Sequence, residues 1–194
     1  MTYRMEAANA TRVHFVVDAR ASKFTVQAFA TGLLSKMGHN PTIGIRTFKG
    51  DVNFNPQAVE GNGFRLTIQA DSLGVQDDIS DKDRREIESL MKTQVLDVTK
   101  YPEVVYEAPV VSIIQLGDSL YSATLDGSLR LHGVTQRQAV TARVALFGEM
   151  IRASGEFTLK QSDYQIKPIS VAGGALKLKD ELKFSFEIVA RKQE

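Results

Sequence analysis

From Leu125 to Val144 the chain alternates apolar and polar residues on two arms. Leu125, Leu129 and Leu131 are interleaved with Asp126, Ser128, Arg130 and His132. Val140, Ala142 and Val144 are interleaved with Thr141 and Arg143. A period of two means extended strands with one apolar face and one wet face. The polar stretch His132 to Arg137 joins the arms and carries Gly133, which tolerates the positive φ of a hairpin turn. The stretch therefore reads as a β-hairpin, and the functional question is what its apolar face encloses.

The same alternation recurs on both sides. It appears at Phe24, Val26 and Ala28, at Phe48, Val52 and Phe54, and from Phe64 through Leu66 to Ala70. It returns at Val104 and Tyr106, from Ile151 to Leu159, and at Phe184, Phe186 and Ile188. Asn55-Pro56 and Gly61-Asn62-Gly63 mark turns. The pattern changes once. Ser80-Asp81-Lys82-Asp83 has the form of an N-terminal capping box, with Asp in place of Glu. It introduces a helix over Arg84–Val95, with Ile87, Leu90 and Met91 at helical spacing. Pro102 returns the chain to extended structure by disfavouring helix at Tyr101. Thr31–Thr42 is a loop, yet it holds Leu33, Leu34 and Met37, as expected of a segment packed over a barrel mouth. Residues 160–181 form a long connection containing Gly173-Gly174.

Roughly eight or nine strands and one inserted helix result. Many antiparallel strands need closure to hide their edges. The expected fold is all-β, an antiparallel eight-stranded lipocalin-like barrel with one inserted α-helix; a β-sandwich is the alternative. A barrel of that strand number is wide enough for packed side chains or for one small ligand. The 194 residues show no repeat and no linker, so residues 1–194 are read as one domain, with 1–11 as a flexible tail.

Composition limits the partners. Lys and Arg number 24 against 23 Asp and Glu, with no basic excess to neutralise a nucleic acid. There is no cysteine, hence no disulfide, thiol chemistry or thiolate metal site. The first residues have no apolar core of a secretory signal, and no run of 18 apolar residues exists. The expectation is a soluble cytoplasmic protein that does not span a membrane, or a periplasmic one if a leader has been removed.

Several segments, in order, resemble the YceI-like family of polyisoprenoid-binding, lipocalin-like domains. They are Val16-Val-Asp18 with Ser22-Lys-Phe24, Ser35-Lys-Met-Gly-His39, Phe48-Lys-Gly50, Val95-Leu-Asp-Val-Thr-Lys-Tyr-Pro102, Gly127-Ser-Leu-Arg-Leu-His-Gly-Val-Thr135, Ser162-Asp-Tyr164 and Asp180-Glu-Leu182. The resemblance runs from about residue 13 to residue 192. It implies an elongated barrel holding an isoprenoid or other long-chain lipid, with no catalysis and no cofactor.

The candidate ligand-binding residues are Phe24, Val26, Met37, His39, Phe48, Phe64, Leu66, Leu90, Tyr106, Leu129, Phe157 and Phe186. The pattern identifies their face, and either a tunnel or a filled core satisfies it. A tunnel would suffice for binding, because each buried CH₂ contributes about 0.8 kcal/mol before association costs. The histidines His14, His39 and His132 lie in separate segments without metal-ligand spacing, so no metal site is expected. No nucleophile motif surrounds Ser35 or Ser162. Three functions remain open: lipid carriage or sequestration; an enzyme on a lipid-like substrate, with His39 at the barrel mouth; and a solid-cored barrel acting through its surface as a stress-linked partner or homodimer.

Overall fold

The computed structural model describes residues 13–31, 40–171 and 176–193. Its strands are β1 (His14–Val17), β2 (Lys23–Thr31), β3 (Thr42–Ile45), β4 (Phe48–Asn53), β5 (Gly63–Gln69) and β6 (Leu73–Val75), then β7 (Glu103–Gly117), β8 (Leu120–Leu131), β9 (Val134–Phe147), β10 (Met150–Lys160), β11 (Ser170–Val171) and β12 (Leu176–Lys192). The helix α1 (Asp81–Leu90) runs into a π-helical turn, Met91–Val95. The expected tail, residues 1–11, lies outside the described residues.

Eight strand positions close an antiparallel barrel. The order is β1, β4, β5, β7, β8, β9, β10, β12, and β1 pairs with both β4 and β12. β2, β3 and β6 continue the lines of β1, β4 and β5 after short breaks. β2 runs on along β12, β3 pairs with β2, and β6 pairs with β3. Neither β3 nor β6 is visible in the sequence. Thr-Ile-Gly-Ile and Leu-Gly-Val are too short to show a period, and they are extended because neighbours pair with them.

The breaks create a seam. β5 pairs with β7 over its whole length, but among the described residues β6 has β3 alone as a strand partner. A free strand edge leaves backbone groups unpaired. α1 supplies side chains in place of a strand. Glu88 Oε1 accepts from Val75 N at 2.9 Å. The Arg84 guanidinium donates to the Val75 and Asp77 carbonyls, the second at 2.8 Å. Arg84 and Glu88 are one helical turn apart and so share a face. Ser80 caps the helix as the sequence suggests: its Oγ accepts from Asp83 N at 3.1 Å and donates to Asp83 Oδ2 at 2.7 Å.

A second seam opens between β9 and β10. Their pairing stops at Arg143–Ser154, although both strands continue. Residues 161–166 fill the gap, with Tyr164 and Ile166 buried. Gln136 Nε2 donates to Asp163 O at 3.0 Å, and His132 Nδ1 lies 3.2 Å from Tyr164 O.

The β8–β9 turn is shorter than expected. Only His132 and Gly133 form it, at φ 51° and 75°, the two positive values of a type I′ turn. Thr135 to Arg137 belong to β9 and pair with Arg130 to Ser128. Gln136, on the inner side of β9, meets the polar segment 161–164 at the second seam, whereas Thr135 and Arg137 are on the outer side, where Arg137 pairs with Asp126. Gly127 is required on β8: a Cβ there would stand 2.1 Å from Glu107 O and 2.4 Å from Ala108.

Candidate functional site

The inner positions of the strands surround a cavity. The centre of a water molecule could occupy about 230 Å³ of it. One end is bounded by Ile87 and Met91 of the helix and by Ile166 and Leu178. Phe54, Val110 and Ile151 bound the other end, near the β7–β8 and β9–β10 turns. On β8 the wall runs from Ala123 to Leu131, which at about 3.3 Å per residue and a tilt of about 40° spans roughly 20 Å of barrel axis.

The space exists because small residues meet on neighbouring strands. Ala123 of β8 pairs with Ala142 of β9, and both line the cavity. At the same level, on β10, comes Gly155, over which the Phe186 ring lies: a Cβ on Gly155 would come 2.7 Å from Phe186 Cζ. Rings cluster on the adjoining strands β10, β12 and β2. Phe157 stacks on Phe184 at 5.0 Å, and Phe24 lies 6.4 Å from Phe186. Wall residues contributed by distant strands therefore leave a channel rather than an interdigitated core.

The wall is apolar. No Asp, Glu, Lys, Arg or His stands in its described part. Tyr106 brings a hydroxyl, which donates to Gln138 O at 3.1 Å. Burial, with the Asp126 charge in support, pushes that hydroxyl far above its ordinary value, so it stays neutral. An uncharged lining favours apolar matter and gives water few partners.

Eight of the residues singled out in the sequence come together here: Phe24, Val26, Phe64, Leu66, Tyr106, Leu129, Phe157 and Phe186 all line the cavity. Two do not. Phe48 is buried behind Phe24, whose ring it meets edge-on at 4.7 Å. Leu90 is half-buried off the wall; α1 instead presents Ile87, and the π-helical turn that continues it presents Met91 and Val95. Met37 and His39 lie outside the described residues. Sequence reasoning missed Ile43, Ile45 and Leu73, which sit on strands too short to recognise, and Gln161 and Ile166, which carry no periodic signal. His14 pairs with Asp51 at 3.1 Å on the outer surface, and His132 serves the turn, its ring 4.6 Å from that of Tyr101.

Residues 8–190 match the profile of the YceI-like domain. The chain belongs to the YceI-like family. Solved structures that share the fold of this YceI-like chain include the following three. Burkholderia cenocepacia BcnA is 19% identical, with a TM-score of 0.68 over 89% of this chain and 98% of that one. A polyisoprenoid binding domain from Saccharophagus degradans, implicated in plant cell wall breakdown, is 15% identical, with a TM-score of 0.67 over 92% and 98%. The Campylobacter jejuni YCEI protein is 16% identical, with a TM-score of 0.61 over 81% and 88%. No curated protein is detectably similar to this YceI-like sequence. Among the described residues no helix is long and apolar enough to cross a membrane.

Proposed function

We propose that the barrel holds a polyisoprenoid or similar long-chain amphiphile in its interior, for carriage or sequestration. The observation that supports this most is the continuous, uncharged cavity along roughly 20 Å of barrel axis. Burial of a chain there needs no polar recognition: at about 0.8 kcal/mol per CH₂, twenty carbons give on the order of 10 kcal/mol or more before association costs. The polyisoprenoid-binding Saccharophagus domain, with the same fold, agrees with the reading. The enzyme reading has less support, since the described wall holds no acid–base pair and His39 lies outside the described residues. A surface role, as a homodimer for example, would draw on Val111, Ile114, Leu116 and Phe147, each more than half exposed.

The test is denaturing mass spectrometry of an organic extract of the purified protein, followed by titration of delipidated protein with a long-chain prenol. A co-purifying long-chain molecule at up to one per chain, and saturable rebinding, are expected. If nothing co-purifies and neither the prenol nor a fluorescent fatty acid binds, the proposal fails.

A further inference from the structure

Besides Tyr106, three residues with polar side chains border the cavity: Asn53, Gln161 and Ser185. Ser185 points away and bonds Thr25 Oγ1 at 2.6 Å. Asn53 is half-buried on the outer side of β4, between the inner positions of Val52 and Phe54. Gln161 alone is buried, at 3% exposure. It follows β10 and stands near the helix end of the cavity, beside Ile166, whose backbone N–H donates to the Gln161 carbonyl.

The orientation of its amide follows from one contact. Gln161 Nε2 is 2.9 Å from Lys179 O. That carbonyl can only accept, so the nitrogen must face it and the oxygen must lie at the other end. Lys179 sits in the bulge between Leu178 and Leu182, where no β2 residue pairs with it. Among the described residues nothing donates to Gln161 Oε1, and no sealed side-chain oxygen or nitrogen lacks a partner. The oxygen is thus without a donor among the described residues, on a buried side chain that lines the cavity.

We infer that Gln161 is the polar anchor of the cavity and that it selects a neutral long-chain ligand with a hydrogen-bond donor at its end, such as a prenol or fatty alcohol. The inference rests on the lipid-binding reading above. A charged headgroup is disfavoured inside, because the described wall has no Lys, Arg or His to pair with a buried carboxylate or phosphate. The ligand hydroxyl would donate to Oε1 at the helix end, and the chain would run toward Phe54 and Ile151.

The test compares all-trans-geranylgeraniol, its methyl ether and the hydrocarbon of the same skeleton, each displacing an apolar dye from delipidated protein. The alcohol is expected to bind about three- to tenfold more tightly than the hydrocarbon, the yield of one net hydrogen bond. The ether, having no donor, should behave like the hydrocarbon. In Gln161→Leu the alcohol preference should fall to about onefold while the hydrocarbon still binds. Equal binding of alcohol and hydrocarbon by the unaltered protein, or an ether as tight as the alcohol, overturns the inference and leaves the lipid-binding reading standing. A preference kept in Gln161→Leu with both affinities lowered would make Gln161 only a support for the β12 bulge. Binding of none of the three overturns the lipid-binding reading itself.

Discussion

Ala142→Phe asks directly whether the interior is a channel. Ala142 is 5% exposed, lines the cavity and pairs with Ala123, another small wall residue. In a filled core, a ring forced in at this position would overpack and cost about 1–3 kcal/mol. In the channel described here the ring enters open apolar space. Burying it contributes about 1.5–3 kcal/mol, offset in part by the loss of side-chain freedom. The two cases thus differ in sign and are separated by about 2 kcal/mol or more. On a chain of this size that is at least about 4–8 °C in Tm, at 2–4 °C per kcal/mol. The assay is thermal unfolding of delipidated protein by circular dichroism, run beside prenol titration. Tm should stay level or rise, and prenol affinity should fall at least tenfold, because the ring obstructs the channel at mid-length. A Tm lowered by several degrees with binding intact would refute the reasoning: the wall would then be tight at Ala142 and the ligand elsewhere.

Four further outcomes are expected. Met91→Ala, at a buried wall position, should cost about 2–3 kcal/mol in urea unfolding, whereas Leu90→Ala, off the wall, should cost under about 1 kcal/mol; equal costs would contradict the helix orientation described. Arg84→Ala removes the donors to the Val75 and Asp77 carbonyls and should destabilise by about 1.5–3 kcal/mol, with faster amide hydrogen exchange in β3 and β6 and no change in β9; uniform exchange would argue against the side-chain cover of the β6 edge. Acid should weaken the fold only at low pH. Arg191 and Arg137 hold the Asp18 and Asp126 carboxyls below their ordinary 3.8, and hydrogen bonds from Ser162 do the same for Asp180. A depressed carboxyl stabilises the folded state above its unfolded value, and this is lost as pH falls through the lower folded value, so Tm should drop below about pH 4. Prenol affinity should be flat from about pH 5 to 9, since Tyr106 is the one titratable side chain in the described wall and is pushed upward. An inflection near pH 6–7 would instead direct attention to His39.

The strands were readable wherever they are long enough to repeat. Phe24-Val26-Ala28 and the β8–β9 arms show their inner face directly, and eight of the named residues do stand on the wall. Phe48 shares the inner face but not the cavity, because alternation fixes direction and says nothing of a second ring interposed, here Phe24. Leu90 stands off the wall for a similar reason. Ile87, Leu90 and Met91 all suit a helical stripe, and the choice among them depends on how Arg84 and Glu88 dock the helix on β6. Gln161 had no signal at all, since a lone Gln after a strand is ordinary until a bulge carbonyl is placed beside it.

By itself the sequence determined which residues face inward, that edges must be hidden, and that no charge would line the interior of the recognised strands. Tertiary structure alone decided whether that interior is empty. Emptiness depends on side-chain volumes summed across several strands at once: Ala123 beside Ala142, then Gly155 beneath the Phe186 ring of β12. Each of these residues is unremarkable in its own segment. Strand register brings them to one level, and closure of the barrel sets across from them walls that leave the space between unfilled.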